Sequence, residues 1–137
     1  MSADESSFAP EGGPGPSILL VSPDLLSTSR LAGLARQEGG RLETLRSLDD
    51  ALPGGGYDLV LVDLQPLAQD PAVIVTRLKC LLEPLRTSSG RAVPLVAFGP
   101  HVARERLEQA VAAGADAAVS RGELLGGFPA ILRRFRG

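Results

Sequence analysis

A chain of 137 residues, 44% hydrophobic and 22% charged with a formal net charge of -2, has the length of one domain and a balance that favours neither nucleic acid nor an anionic membrane. A single cysteine, Cys80, excludes an internal disulfide and fits a reducing compartment, and one histidine, His101, leaves no His/Cys cluster for a structural zinc. The acidic start Met1-Ser2-Ala3-Asp4-Glu5 is unlike a secretory leader and no apolar run approaches the roughly 20 residues that span a bilayer, so a cytoplasmic protein without a membrane segment is expected.

Residues 1–16 combine Pro10, Pro14 and Pro16 with Gly12, Gly13 and Gly15, too little apolar surface to offset the entropy of ordering, and read as a flexible tail before a domain over 17–137. Ile18-Leu19-Leu20-Val21 is a short continuous apolar run, the mark of a strand buried on both faces. Ser22 as cap and Pro23 as first helical residue then predict a helix that turns Leu26, Leu31, Leu34 and Ala35 inward and stops at Gly39-Gly40. Arg41 to Leu45 reads as an edge strand, and Ser47 to Leu52 as a short helix before the turn Pro53-Gly54-Gly55-Gly56.

Leu59-Val60-Leu61-Val62 is the second apolar run, and it ends in Asp63, a carboxylate at the strand edge where ligands of open α/β sheets bind. Asp70-Pro71 opens a helix with Ile74, Leu78, Leu81 and Leu85 on its inner stripe and Cys80 on its flank. Val93 to Phe98 is the third run. Gly99-Pro100 then starts a helix carrying Ala103, Leu107, Ala110 and Val111, which stops at Gly114. Ala115 to Val119 is a weaker strand, and from Pro129 a last helix presents Phe128, Ile131, Leu132 and Phe135, with Gly126-Gly127 breaking anything longer. Strands and helices that alternate over short connections predict a three-layer, doubly wound parallel sheet of five strands. The order 2-1-3-4-5 places the two weak strands at its edges, a flavodoxin-like arrangement.

From Ile18 to about Phe135 the chain resembles the CheY-like receiver domain of two-component response regulators. The resemblance rests on Ile18-Leu19-Leu20-Val21, Tyr57-Asp58-Leu59-Val60-Leu61-Val62-Asp63-Leu64, Val93-Pro94-Leu95-Val96 and Ala113-Gly114-Ala115-Asp116. It implies that Asp63 stands where receivers accept a phosphoryl group. It also implies a Mg²⁺ held by two acids directly after the first strand, where this chain has Ser22 and Pro23. Asp24 follows, but as an early helical residue it is better placed to meet the helix dipole than a metal. The switch hydroxyl after the fourth strand aligns with Gly99, the phosphate-binding lysine with Arg121, its following proline with Gly122, and the aromatic of the fifth strand with Ala118. The loop Leu64-Gln65-Pro66-Leu67 carries its proline one position early.

Losing both metal acids, the hydroxyl and the aromatic removes a phosphorylation switch and its readout, while the strands and helical stripes still supply the fold. Asp63 is accordingly expected to bond nearby amides and Arg121, in a degenerate pocket of Ser22, Pro23, Asp24, Gly99 and Arg121. His101 has no nucleophile or second acid at readable spacing and reads as an exposed helix-end residue. Pro53-Gly54-Gly55-Gly56 precedes a strand, whereas a phosphate cradle would follow one. Arg133, Arg134 and Arg136 suit the end of a final helix. Thirteen of the fourteen basic residues are Arg, so the change from lysine to Arg121 carries little weight.

The expected function is a pseudo-receiver: a non-enzymatic, stand-alone regulatory module in signal transduction that docks on proteins without phosphorylation and needs no cofactor or metal. The face implied by the resemblance is His101, Val102, Glu105, Arg106 and Gln109 with residues of the last helix, serving a signalling protein or a second copy of the chain. Two alternatives stand beside it. One is a phosphorylatable single-domain response regulator using Asp63 and Arg121; the other is a small-ligand binder using the strand-edge crevice.

Overall fold

The apolar runs become strands because residues buried on both faces need no polar alternation, and short β-branched or leucine-rich stretches fit a pleated interior. The computed structural model describes residues 15–52, 56–67 and 69–136. Its elements in chain order are β1 (Ser17–Val21), α1 (Leu25–Gln37), β2 (Arg41–Leu45), β3 (Leu59–Asp63), α2 (Pro71–Leu82), β4 (Leu95–Gly99), a single 3₁₀ turn (His101–Ala103), α3 (Arg104–Ala112), β5 (Ala117–Ser120), α4 (Arg121–Gly126) and α5 (Phe128–Arg136). The sheet is wholly parallel, in the order β2-β1-β3-β4-β5. The three-layer, doubly wound arrangement expected from the sequence is therefore observed.

Alternation along each central strand divides the interior into two cores. Ile18, Leu20, Leu59, Leu61, Val96 and Phe98 face α1, α4 and α5 through Leu31, Ala35, Leu124, Phe128 and Leu132. Leu19, Val21, Val60, Val62, Leu95 and Ala97 face α2 and α3 through Ile74, Val75, Leu78, Leu82 and Ala110. A fully buried side chain of this size contributes roughly 1.5–3 kcal/mol, about as much as one charge-assisted hydrogen bond at the strand edge, and the cores gather many of them, so it is the cores that hold the scaffold.

The structure corrects several local expectations. Helix α1 starts at Leu25, and its cap is Asp24, whose carboxylate accepts from Leu26 N and Ser27 N. Ser22 is instead buried and turned to Asp63. Leu26 is 76% exposed, while Ser27 beside it is the residue of the first turn that points inward; Leu81 and Val111 also face outward. In α2 the inner stripe is Ile74, Val75, Leu78 and Leu82, rotated from the expected one. Between β2 and β3 no helix forms over residues 47–52. Asp50 N bonds Ser47 O in a turn, Leu48 is buried, and Arg77 holds the Leu48 carbonyl; six residues are too few to repay nucleation when a turn buries the same leucine.

Other expectations hold. Asp70 caps α2 with Pro71 at its first position, and α1 ends at the glycines: Gly39 has φ +76. A side chain on Gly40 would lie 2.3 Å from the carbonyl oxygen of Pro16. That carbonyl accepts from Arg41 N at 2.9 Å, which fixes the entry to β1. Residues 1–14 of the expected tail and residues 53–55 of the expected glycine turn lie outside the described residues.

Candidate functional site

Asp63 closes β3 in the middle of the sheet and is 0% exposed. A buried carboxylate needs hydrogen bonds and an opposite charge, and it has both. Its Oδ2 accepts from Ser22 Oγ at 3.2 Å and its Oδ1 from Gln65 N at 3.1 Å. Arg121 Nη2 straddles both oxygens at 3.1 Å each. The same nitrogen reaches Gln65 Oε1 at 3.1 Å, while the guanidinium lies over the Phe98 ring with its central carbon 5.3 Å from the ring centroid.

The other guanidinium nitrogen, Nη1, donates to Ser27 Oγ in the first turn of α1. Ser27 Oγ in turn donates to Asp24 Oδ2 at 2.7 Å, and Asp24 N donates to Ser22 Oγ at 3.1 Å. The contacts therefore close a ring, Asp63 to Ser22 to Asp24 to Ser27 to Arg121 and back to Asp63. The Ser27 hydroxyl, with two backbone amides and the Arg121 charge behind it, holds the Asp24 carboxyl below its ordinary range against a smaller opposing effect of burial. On the far side Ser120 caps α4 reciprocally with Glu123, and the Ser120 N–H and hydroxyl hold the Glu123 carboxyl below its ordinary range. That box sets the start of α4 and hence the root of Arg121.

The structure thus brings Ser22, Pro23, Asp24, Asp63 and Arg121 together, around a shallow open cleft that Gln65 and Pro66 complete. Gly99 stands apart at the end of β4, paired with Ser120 and facing Leu107 and Leu64. Ser27 and Gln65 were missed as site members. The signal for Ser27 is its place three residues after a capping Asp24; Gln65 carries none beyond lying two residues after Asp63. Arginine also has a specific use here, since two nitrogens of one planar fork reach α1 and β3 at once, which an ammonium point charge would not span.

Of the expected docking residues, His101, Val102, Glu105 and Gln109 are exposed, Val102 at 79%. Arg106 is half-buried and turned the other way. Its Nη2 donates to the carbonyls of Leu64 at 2.9 Å and Leu67 at 3.2 Å, with Gln69 O at 3.4 Å, so it clasps the loop between β3 and α2.

No family model matches the chain, and no curated protein matches it in sequence. Solved structures do. A response regulator receiver protein from Burkholderia phymatum superposes with a TM-score of 0.68 at 24% identity, over 89% of this chain and 95% of the other. The receiver domain of the sensor histidine kinase PA1611 from Pseudomonas aeruginosa, whose structure has a magnesium ion coordinated in the active site cleft, superposes at 0.65 with 21% identity, over 90% and 98%. A chain of the Saccharomyces cerevisiae complex between the histidine phosphotransfer protein Ypd1 and the receiver domain of Ssk1 superposes at 0.69 with 14% identity, over 89% of each. At these identities the likeness is one of fold. The chain has the CheY-like receiver fold of response regulators.

The Mg²⁺ that this fold implies does not fit the residues present. Magnesium requires oxygen donors free to face it, usually with carboxylates among them. Asp24 uses both carboxylate oxygens on the first turn of α1, and both oxygens of Asp63 accept from Arg121. Among the described residues no group of three His, Cys, Asp or Glu side chains converges to hold a metal.

Proposed function

We propose that this chain is a non-enzymatic, receiver-fold regulatory module in cytoplasmic signalling that works through protein–protein contact without a phosphorylation step. The observation that carries this reading is the direct ion pair of buried Asp63 with Arg121, at a strand end with neither a second free acid nor a hydroxyl at Gly99. Phosphoryl transfer to a carboxylate brings two anions together, which requires cations free to neutralise both. Here the cation that touches Asp63 among the described residues, Arg121, is committed to it and to Ser27.

The receiver domain of Ssk1 forms a complex with a histidine phosphotransfer protein, and a signalling protein is the kind of partner proposed for this chain too. A second copy is the other partner the reading allows. Nucleic acid is not proposed, given a net charge of -2, and no helix among the described residues is long and apolar enough to cross a membrane.

Wild type and Asp63→Asn are incubated with acetyl phosphate, and separately with beryllofluoride, in the presence of Mg²⁺. Intact mass and amide NMR shifts are then read. The expected result is an unchanged mass and no site-centred shifts in either protein. An adduct or shifts that depend on Asp63 would overturn the proposal in favour of a phosphorylatable regulator.

A further inference from the structure

The disagreement between the fold's cation and these residues has a structural answer. Two carboxylates, Asp24 and Asp63, and two hydroxyls, Ser22 and Ser27, stand on one closed ring, and the positive group in that ring is a guanidinium. Every other member of the ring contributes oxygen ligands of the kind that hard divalent cations take, apart from the Asp24 N–H. Arg121 reaches Asp63 directly and Asp24 through Ser27, and its fork is rooted by the Ser120–Glu123 capping box rather than by solvent.

We infer that Arg121 is the resident cation of this site, a tethered charge that takes the place of a divalent ion and makes the site indifferent to metals. The inference rests on the constitutive reading above and extends it to regulation. A site whose counter-charge is part of the chain keeps one charge state whatever the supply of metal or phosphoryl donor, and the ring ties the start of α1 to the start of α4 in one arrangement. With the guanidinium removed, the ring keeps two carboxylates, Asp24 and Asp63, linked through Ser22 and without the cation that balanced them, and a divalent cation supplies the missing charge.

The test uses Mn²⁺, whose paramagnetism broadens nearby amide signals, with Mg²⁺ as competitor. In wild type, millimolar Mn²⁺ leaves the amides of Ser22, Asp24, Asp63 and Gln65 without saturable broadening, and neither Mg²⁺ nor a chelator shifts the melting temperature. In Arg121→Gln the same amides broaden saturably, Mg²⁺ reverses it, and apparent Mn²⁺ affinity rises at least tenfold over wild type. Adding Asp63→Asn to that variant abolishes the gain. Saturable, Mg²⁺-reversed broadening at the site in wild type would overturn the inference, as would a folded Arg121→Gln that gains none, or a gain that survives Asp63→Asn. If Arg121→Gln unfolds in chelator, the inference requires Mg²⁺ or Mn²⁺ to restore its folded spectrum, and failure to do so also overturns it. Metal binding in wild type without any phosphoryl adduct would sink this inference alone and leave the proposed function standing.

Discussion

Asp24 combines the duties of helix cap and ring member, and its protonation separates them. Its carboxyl lies below the ordinary value of 3.8, chiefly because the Ser27 hydroxyl donates to it. A folded-state pKa below the unfolded one means that the stabilisation is complete above the ordinary value and is lost as pH falls through the folded one. Below about pH 4 the amides of Leu26 and Ser27 should therefore shift and lose protection from exchange. Asp24→Asn keeps a capping side chain, since asparagine caps about as well as aspartate, but has no charge to lose, so its first turn should show no such titration. Equal acid sensitivity in both proteins would mean that the loss begins elsewhere. Sequence reading placed this cap two residues early, at Ser22, because Ser22 and Asp24 are both good caps and local pattern does not rank them. What ranks them is Asp63, 41 residues away, which takes the Ser22 hydroxyl. The Ser27–Arg121 link spans 94 residues and was equally out of reach of local pattern, although the pairing of Asp63 with Arg121 was expected from the resemblance to receivers, which sets Arg121 at their phosphate-binding lysine.

Elements were legible where chemistry punctuates the chain and less so where only hydrophobic phase decides. Asp70-Pro71 and Gly39-Gly40 set helix ends through caps and a left-handed backbone, and those ends were read correctly. The inner stripes of α1, α2 and α3 were read with Leu26, Leu81 and Val111 included, yet how a helix sits on the sheet is fixed by the strands it crosses and by what clasps its neighbours. Arg106 is such a clasp. Rooted in α3, it gathers carbonyls from the loop that leaves Asp63 and so ties that loop to the helix. Arg106→Met keeps the apolar stem and removes every donor, and should cost the loop about 1–2 kcal/mol of local stability. Hydrogen exchange over residues 64–70 should then speed up about tenfold. Arg106→Lys should fall between, since a point charge replaces a planar fork. Unchanged exchange in Arg106→Met would show that the loop is held by its own turn and not by α3.

At the scale of the whole molecule the fold was readable because it is written redundantly: three continuous apolar runs, weak strands at both edges and helices between them all require one parallel sheet covered on two faces. The site was readable only as a set of positions, because its chemistry depends on partners that the sheet brings together from β1, α1, β3 and α4. The two cores explain why the fold tolerates a strand edge so unlike the one the family resemblance implies. They lie on opposite faces of a shared sheet, and the Asp63 ring meets one of them where the Arg121 guanidinium lies over Phe98. If that separation is real, damage to one face should not compound damage to the other. Ile18→Val removes a methylene beneath α1, α4 and α5, and Ile74→Val removes one between α2 and the opposite face, each from a fully buried residue. Each change should cost about 1 kcal/mol by chemical denaturation. The double variant should lose their sum to within about 0.5 kcal/mol, with a single transition and an unchanged denaturant slope. A coupling of more than about 1 kcal/mol would instead mean that the central strands transmit packing strain through the sheet. In that case the strand edge bearing Asp63 would feel changes in either core.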